Sequence, residues 1–191
     1  ILPKNGVKRG GQPMAYSFRN LNILLVEDDN YMRFLVRDIL KVFGVGEIRT
    51  ARDGTAAYQE LKNFPADIVI IDWVMQPMNG LEFLEKLRNA IDSPNPYVPT
   101  IMLTAFTEIE RVKESRDMGI TEFLAKPFTP QKLYSRIVSV IEDQRVYVRS
   151  PTYFGPDRRR ADRPFLGPDR RAGAEAADSF DLDDENLSLA L

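Results

Sequence analysis

The 191-residue chain contains neither cysteine nor histidine. Without thiols it can form no disulfide, thiolate nucleophile or Cys-ligated metal site, and a reducing cytoplasm is the expected setting. Without imidazole, Ser-His-Asp hydrolysis, His-ligated zinc and a histidine phosphocarrier are excluded from this chain. No apolar run approaches the roughly 18–20 residues that cross a bilayer, so no membrane partner is expected. Charge of one sign is lacking too. The 26 Lys and Arg against 28 Asp and Glu leave a formal net charge of -2, which points neither toward nor away from nucleic acid.

What is present falls into three zones. Residues 1–19 are rich in Gly, Lys and Arg without periodicity. They carry Lys4, Lys8 and Arg9 but no apolar core, so they do not read as a signal peptide. Met14 is a candidate natural start, which makes 1–13 an upstream leader or an addition, outside the fold. Residues 20–148 alternate short apolar runs with amphipathic stretches, and 149–191 are rich in Arg, Asp, Pro and Gly, then Ala and acid. That last composition is expected to be extended or disordered.

Within the middle zone, Asn22–Val26 is a continuous apolar strand that ends abruptly in acid. Tyr31–Phe43 has helical spacing, with Phe34, Leu35, Ile39 and Leu40 as the expected buried face and Gly44 as the stop. Glu47–Ala51 is a short strand, and Asp53 caps a helix over Thr55–Asn63 that Pro65 ends. Asp67–Ile71 is a second apolar strand with Asp72 just past it. Leu81–Ile91 is a helix, Val98–Leu103 a strand, Glu108–Met118 a helix, Ile120–Ala125 the last strand, and Pro130–Val148 a long amphipathic helix. Five apolar strands alternating with five helices imply a parallel sheet covered on both faces. In such sheets ligands bind beyond the strands' carboxyl ends, at the topological switch point.

Glu27, Asp28 and Asp29 follow the first strand, and Asp72 follows the third. Acids at helix starts are ordinarily caps, and Asp29 fits that role. Glu27, Asp28 and Asp72, gathered at one end of one sheet, would repel one another without a cation. Magnesium takes oxygen ligands and keeps waters, so these residues suit it, although capping remains the alternative. Thr104 and Lys126 end the fourth and fifth strands. Lys126 could be a snorkelling surface residue. If it converges with Thr104, Asp28 and Asp72, the four make a phosphoryl-transfer constellation: a carboxylate nucleophile, a cation site, a hydroxyl and an ammonium.

These residues, in order, resemble the response-regulator receiver domain of bacterial two-component signalling. The pieces are Ile-Leu-Leu-Val-Glu-Asp-Asp at 23–29, Ile-Val-Ile-Ile-Asp at 68–72, then Met75, Pro77, Met78 and Gly80, Thr104-Ala105 and Lys126-Pro127. The resemblance implies a flavodoxin-like (βα)5 fold with a five-stranded parallel sheet. It implies Asp72 as phosphoacceptor, and Mg2+ held by Asp28, Glu27, Asp72 and the backbone carbonyl of Val74. It also implies Thr104 and Lys126 on the phosphoryl group, and Thr104 with Phe123 as a coupled switch. The donor would be a sensor histidine kinase or histidine phosphotransfer protein, and the output contacts with an unknown downstream protein, with homodimerisation open. Phe106 would lie on the output face. The chain departs from the family pattern in having Gln76 where proline usually stands, with Pro77 following. Val74 cannot orient an attacking water, so slow self-dephosphorylation is expected.

Tyr-Phe-Gly-Pro-Asp-Arg-Arg at 153–159 recurs as Phe-Leu-Gly-Pro-Asp-Arg-Arg at 165–171. A charged solubilising tail explains the arginines but not the repeat. Asp157, Arg158, Arg159, Asp169, Arg170 and Arg171 therefore read as a short linear binding element, with arginine forks for carboxylate or phosphate. Residues 172–191 hold six acids and no base and could shield it. A DNA-binding regulator using this tail is the alternative function, but with no helix-turn-helix pattern, sequence-specific DNA readout is not expected. An aspartate-dependent phosphatase would want a second aspartate where Val74 stands, so no turnover enzyme is expected.

Overall fold

A computed structural model describes residues 16–105, 119–150 and 153–157. All belong to a unit spanning Ile1–Arg160. Five parallel strands, β1 (Asn22–Val26), β2 (Glu47–Ala51), β3 (Ile68–Asp72), β4 (Thr100–Ala105) and β5 (Glu122–Lys126), form one sheet in the order β2-β1-β3-β4-β5. The order reverses between β1 and β3, which makes the carboxyl ends of those two strands the switch point.

The strands are apolar on both faces because both faces are covered. Along β1, Leu24 and Val26 enter one core, whereas Ile23 and Leu25 enter the other. Along β3, Val69 and Ile71 join the first, Ile68 and Ile70 the second. The first core is filled by α2 (Gly54–Leu61) and α3 (Gly80–Asn89) through Ala57, Tyr58, Phe83, Leu84 and Leu87. The second is filled by α1 (Asn30–Val42) and α4 (Pro130–Glu142) through Val36, Leu40, Leu133, Ile137 and Val140. Each helix starts on a side-chain cap that satisfies free amides. Asp29 accepts from Met32, Asp53 from Ala56 and Thr129 from Lys132. Asn79 and Glu82 form a reciprocal capping box.

The structure revises several expectations. Phe34 and Leu35 on α1 are 57% and 41% exposed and Ile39 is half-buried, whereas Leu40 is buried as expected and Val36 takes the other core position. Phe18 is fully buried, packed on Phe43 and Tyr134, so a boundary at Asn20 leaves out part of the core. The last helix ends at Glu142 rather than Val148, where Asp143 caps it and binds the Arg145 guanidinium.

Beyond it, β6 (Tyr147–Ser150) and β7 (Tyr153–Pro156) pair as an antiparallel hairpin. A boundary at Val148 thus cuts through β6. Phe154 is buried against Tyr97 and Tyr147, with ring centroids 5.2 and 5.8 Å away. Beneath Tyr147 lies Arg88, 1% exposed, whose guanidinium donates to the carbonyls of Pro96, Val98 and Gly119 and to the Thr100 hydroxyl. Burial pushes its pKa down, since carbonyls rather than a carboxylate receive it. Gly119 has φ +81°, and a Cβ there would meet the Phe154 carbonyl oxygen at 2.1 Å, so only glycine lets the hairpin approach. The segment expected as a helix over Glu108–Met118 lies outside the described residues.

Candidate functional site

The site is built at the switch point. Strand β1 runs into Glu27 and Asp28, and β3 ends on Asp72. The backbone beyond β3 is held tightly: Trp73 donates to the Leu103 carbonyl at 3.0 Å, and Gly80 donates to the Trp73 carbonyl at 3.0 Å. Gly80 must be glycine because a Cβ there would sit 2.3 Å from the Asp72 carbonyl oxygen. It lets the start of α3 close against the end of β3, which fixes Asp72.

Glu27, Asp28 and Asp72 each offer an oxygen within 4.8 Å of the others. Glu27 is 1% and Asp72 8% exposed, whereas Asp28 faces solvent. From the end of β5, the Lys126 ammonium reaches Asp72 Oδ1 at 2.7 Å and Glu27 Oε2 at 2.8 Å. The expected convergence of residues 99 positions apart in sequence is therefore present. The Asp29 side chain caps α1 rather than joining this set of carboxylates, as anticipated.

Burial raises the Glu27 carboxyl above its ordinary value, against the hydrogen bond from Lys126, and the neighbouring Asp72 charge adds to the rise. Burial also raises Asp72, again against Lys126, with the Asp28 charge contributing. Desolvation works to lower Lys126, but its bonds to Asp72 and Glu27 prevail and hold it above the usual lysine range. One ammonium among three carboxylates leaves two negative charges in a half-buried crevice. That imbalance, with oxygen donors only, fits a hard divalent cation such as magnesium.

Thr104 is buried, and its hydroxyl donates to the Ala105 carbonyl at 3.2 Å. Phe123 is half-buried against the first core. Thr104 pairs with Ala125, and Met102 with Phe123, so Thr104 and Phe123 project from one face of adjacent strands, one diagonal step apart. Val74 is 60% exposed beside Asp72. Phe106 and, in the tail, Arg158, Arg159, Asp169, Arg170 and Arg171 lie outside the described residues. Asp157 follows β7 and donates its amide to the Val146 carbonyl at 2.8 Å. In the first tail motif, Phe154, Gly155 and Pro156 are buried in the hairpin, so its apolar half is already engaged.

Sequence reasoning missed Arg33. On the first turn of α1 it donates to the carbonyls of Glu27 and Asp28, the backbone that carries the acids. Its place four residues after the Asp29 cap was the available signal.

Fold and crevice together define a doubly wound α/β domain with a carboxylate pocket at its switch point. Residues 23–138 match the response regulator receiver domain, and the chain belongs to that family. It is similar to the chemotaxis protein CheY-3 of Vibrio cholerae, 32% identical over 124 residues, which are 65% of this chain and 94% of the relative. Among solved structures it resembles chemotaxis protein CheY4 of Vibrio cholerae, with TM-score 0.58 and 32% identity over 63% of this chain and 98% of that one. The fold also matches the receiver domain of sensor histidine kinase PA1611 from Pseudomonas aeruginosa, with TM-score 0.57 and 24% identity over 64% of this chain and 98% of that one. That structure has a magnesium ion coordinated in its active site cleft. The chain is thus a receiver domain of two-component response regulators. No helix among the described residues is long and apolar enough to cross a membrane.

Proposed function

We propose that Asp72 accepts a phosphoryl group from a phosphohistidine donor, either a sensor histidine kinase or a histidine phosphotransfer protein. The observation that carries this is the double contact of Lys126, at 2.7 Å to Asp72 and 2.8 Å to Glu27, at the sheet's switch point. In the reaction an Asp72 carboxylate oxygen bonds to phosphorus, the phosphorus–nitrogen bond breaks, and the donor imidazole leaves with the electron pair. Aspartate is a weak nucleophile, so positioning and charge neutralisation supply most of the acceleration. Lys126 stands where it can follow the acceptor oxygen and meet the incoming phosphoryl oxygens. Glu27, Asp28, Asp72 and the Val74 carbonyl would hold Mg2+, which supplies positive charge to those oxygens when bound.

Thr104 then gains a charge-assisted bond to the phosphoryl group, and Phe123 repacks toward the space it leaves. The diagonal placement of the two residues on one sheet face supports this coupling. The output is a changed contact with a downstream protein rather than turnover of a substrate, and a cytoplasmic location suits this role. The test is incubation of the full chain with Mg2+ and acetyl phosphate, followed by intact mass. The wild type is expected to gain one phosphoryl group and Asp72→Ala none. Equal gain in both would refute the assignment.

A further inference from the structure

The cluster contains three carboxylates, but they are not held equally. The Glu27 carboxylate is pinned by Lys126 and by the Asp29 amide, and Asp72 by Lys126 and the Trp73 amide. Asp28 is exposed, and the position of its carboxylate depends on the backbone that carries it. On that backbone the Glu27 amide donates to the Ala51 carbonyl at 3.1 Å, and the carbonyls are met by a side chain. The Arg33 guanidinium donates to the Glu27 carbonyl at 2.6 Å and the Asp28 carbonyl at 3.3 Å, and its other arm donates to the Asn30 amide oxygen.

Arg33 stands against the helix dipole. A cation in the first turn of a helix is disfavoured, because the N-terminus is already positive. Here Arg33 is anchored in that turn, its own amide donating to the Asp29 carbonyl at 2.9 Å, and its side chain reaches back past the helix start. The Arg33 guanidinium meets backbone carbonyls and an amide oxygen rather than a carboxylate, so what it supplies is geometric.

We infer that Arg33 is a positioning residue for the metal site, a fork that fixes the Glu27–Asp28 peptide so that the exposed Asp28 carboxylate faces Glu27 and Asp72. The inference rests on the phosphoacceptor reading for its purpose, but its own readout is cation affinity. A planar guanidinium spans two carbonyls and an amide oxygen at once, and a lysine ammonium on a flexible stem does not hold that geometry.

The experiment is Mg2+ titration of the full chain by calorimetry and Trp73 fluorescence for wild type, Arg33→Ala, Arg33→Lys and Arg37→Ala. Arg37 lies one turn further along α1, stacked on Phe34, and serves as the control. Loss of a group that orients a metal ligand weakens affinity by roughly 10–100-fold. Arg33→Ala is expected to weaken Mg2+ by about tenfold. Arg33→Lys, which keeps charge and helix propensity, should recover little of that, and Arg37→Ala should match wild type. Wild-type affinity in Arg33→Lys would overturn the inference, because charge rather than the fork would then suffice. So would wild-type affinity in Arg33→Ala. Intact mass after acetyl phosphate treatment separates the two readings. Phosphorylation of Asp72→Ala would sink the acceptor assignment, while the Mg2+ affinities still decide the role of Arg33.

Discussion

Replacing Asp72 with Asn in metal-free protein isolates the electrostatics of the crevice. The asparagine keeps the shape and an acceptor for Lys126 but removes one of three clustered negative charges. Two carboxylates at the 4.8 Å limit of this cluster repel by about 3.5 kcal/mol at an effective dielectric of ~20, so Asp72 meets about 7 kcal/mol from its two neighbours. The Lys126 contact at 2.7 Å returns about 6 kcal/mol on the same scale. Burial of the charge comes on top, and it is the leading reason the Asp72 carboxyl lies above its ordinary value of 3.8.

Asp72→Asn is therefore expected to stabilise the domain in EDTA at pH 7 by about 1–2 kcal/mol, a rise in urea midpoint of roughly 0.5–1 M. The folded chain keeps the Asp72 proton at pH values where the unfolded chain has lost it. Wild-type stability thus falls as pH rises from the ordinary carboxylate range through the raised folded value. Below that range both forms are neutral at position 72, and the advantage of Asn should vanish. Mg2+ at ten times its Kd should restore about 1.4 kcal/mol to wild type and far less to the variant. Unfolding followed by Trp73, the single tryptophan of the chain, measures all of this. A variant less stable than wild type in EDTA at pH 7 would refute the reasoning, as would an advantage that persists at pH 3.

Three further outcomes follow from the geometry. Phe154→Ala removes a buried ring from the Tyr97–Tyr147 cluster and should lower stability by about 3 kcal/mol in urea unfolding. Gly119→Ala forces a side chain into a left-handed backbone under the hairpin, and should cost about 1–3 kcal/mol and loosen amide-exchange protection in β6 and β7. The phosphorylated domain should hydrolyse slowly because the exposed Val74 beside the acceptor offers no polar group to an attacking water. A half-life of seconds in Mg2+ would contradict that expectation.

The central strands were legible because Asn22–Val26 and Ile68–Asp72 are uninterrupted apolar runs ended by acid, a pattern that burial on both faces demands. The pocket was legible for the same reason, each of its residues standing at or just past the carboxyl end of a strand. Helix faces were less so. Helix α1 carries apolar residues at 34, 35, 36, 39, 40 and 42, nearly all round, and only packing against the sheet selects Val36 and Leu40. The burial of Arg88 went unread because its residue type argues for the surface, although it shares the stripe of Leu84 and Leu87 at helical spacing. The hairpin was hidden because Val146 and Val148 continue the apolar spacing of α4, and its stability comes from distant partners, Tyr97, Arg88 and Gly119.

The docking of Phe154, Gly155 and Pro156 onto the domain separates the two sequence twins of the tail. Altering residues 153–156 perturbs the scaffold itself, so any loss of partner binding there is confounded with unfolding.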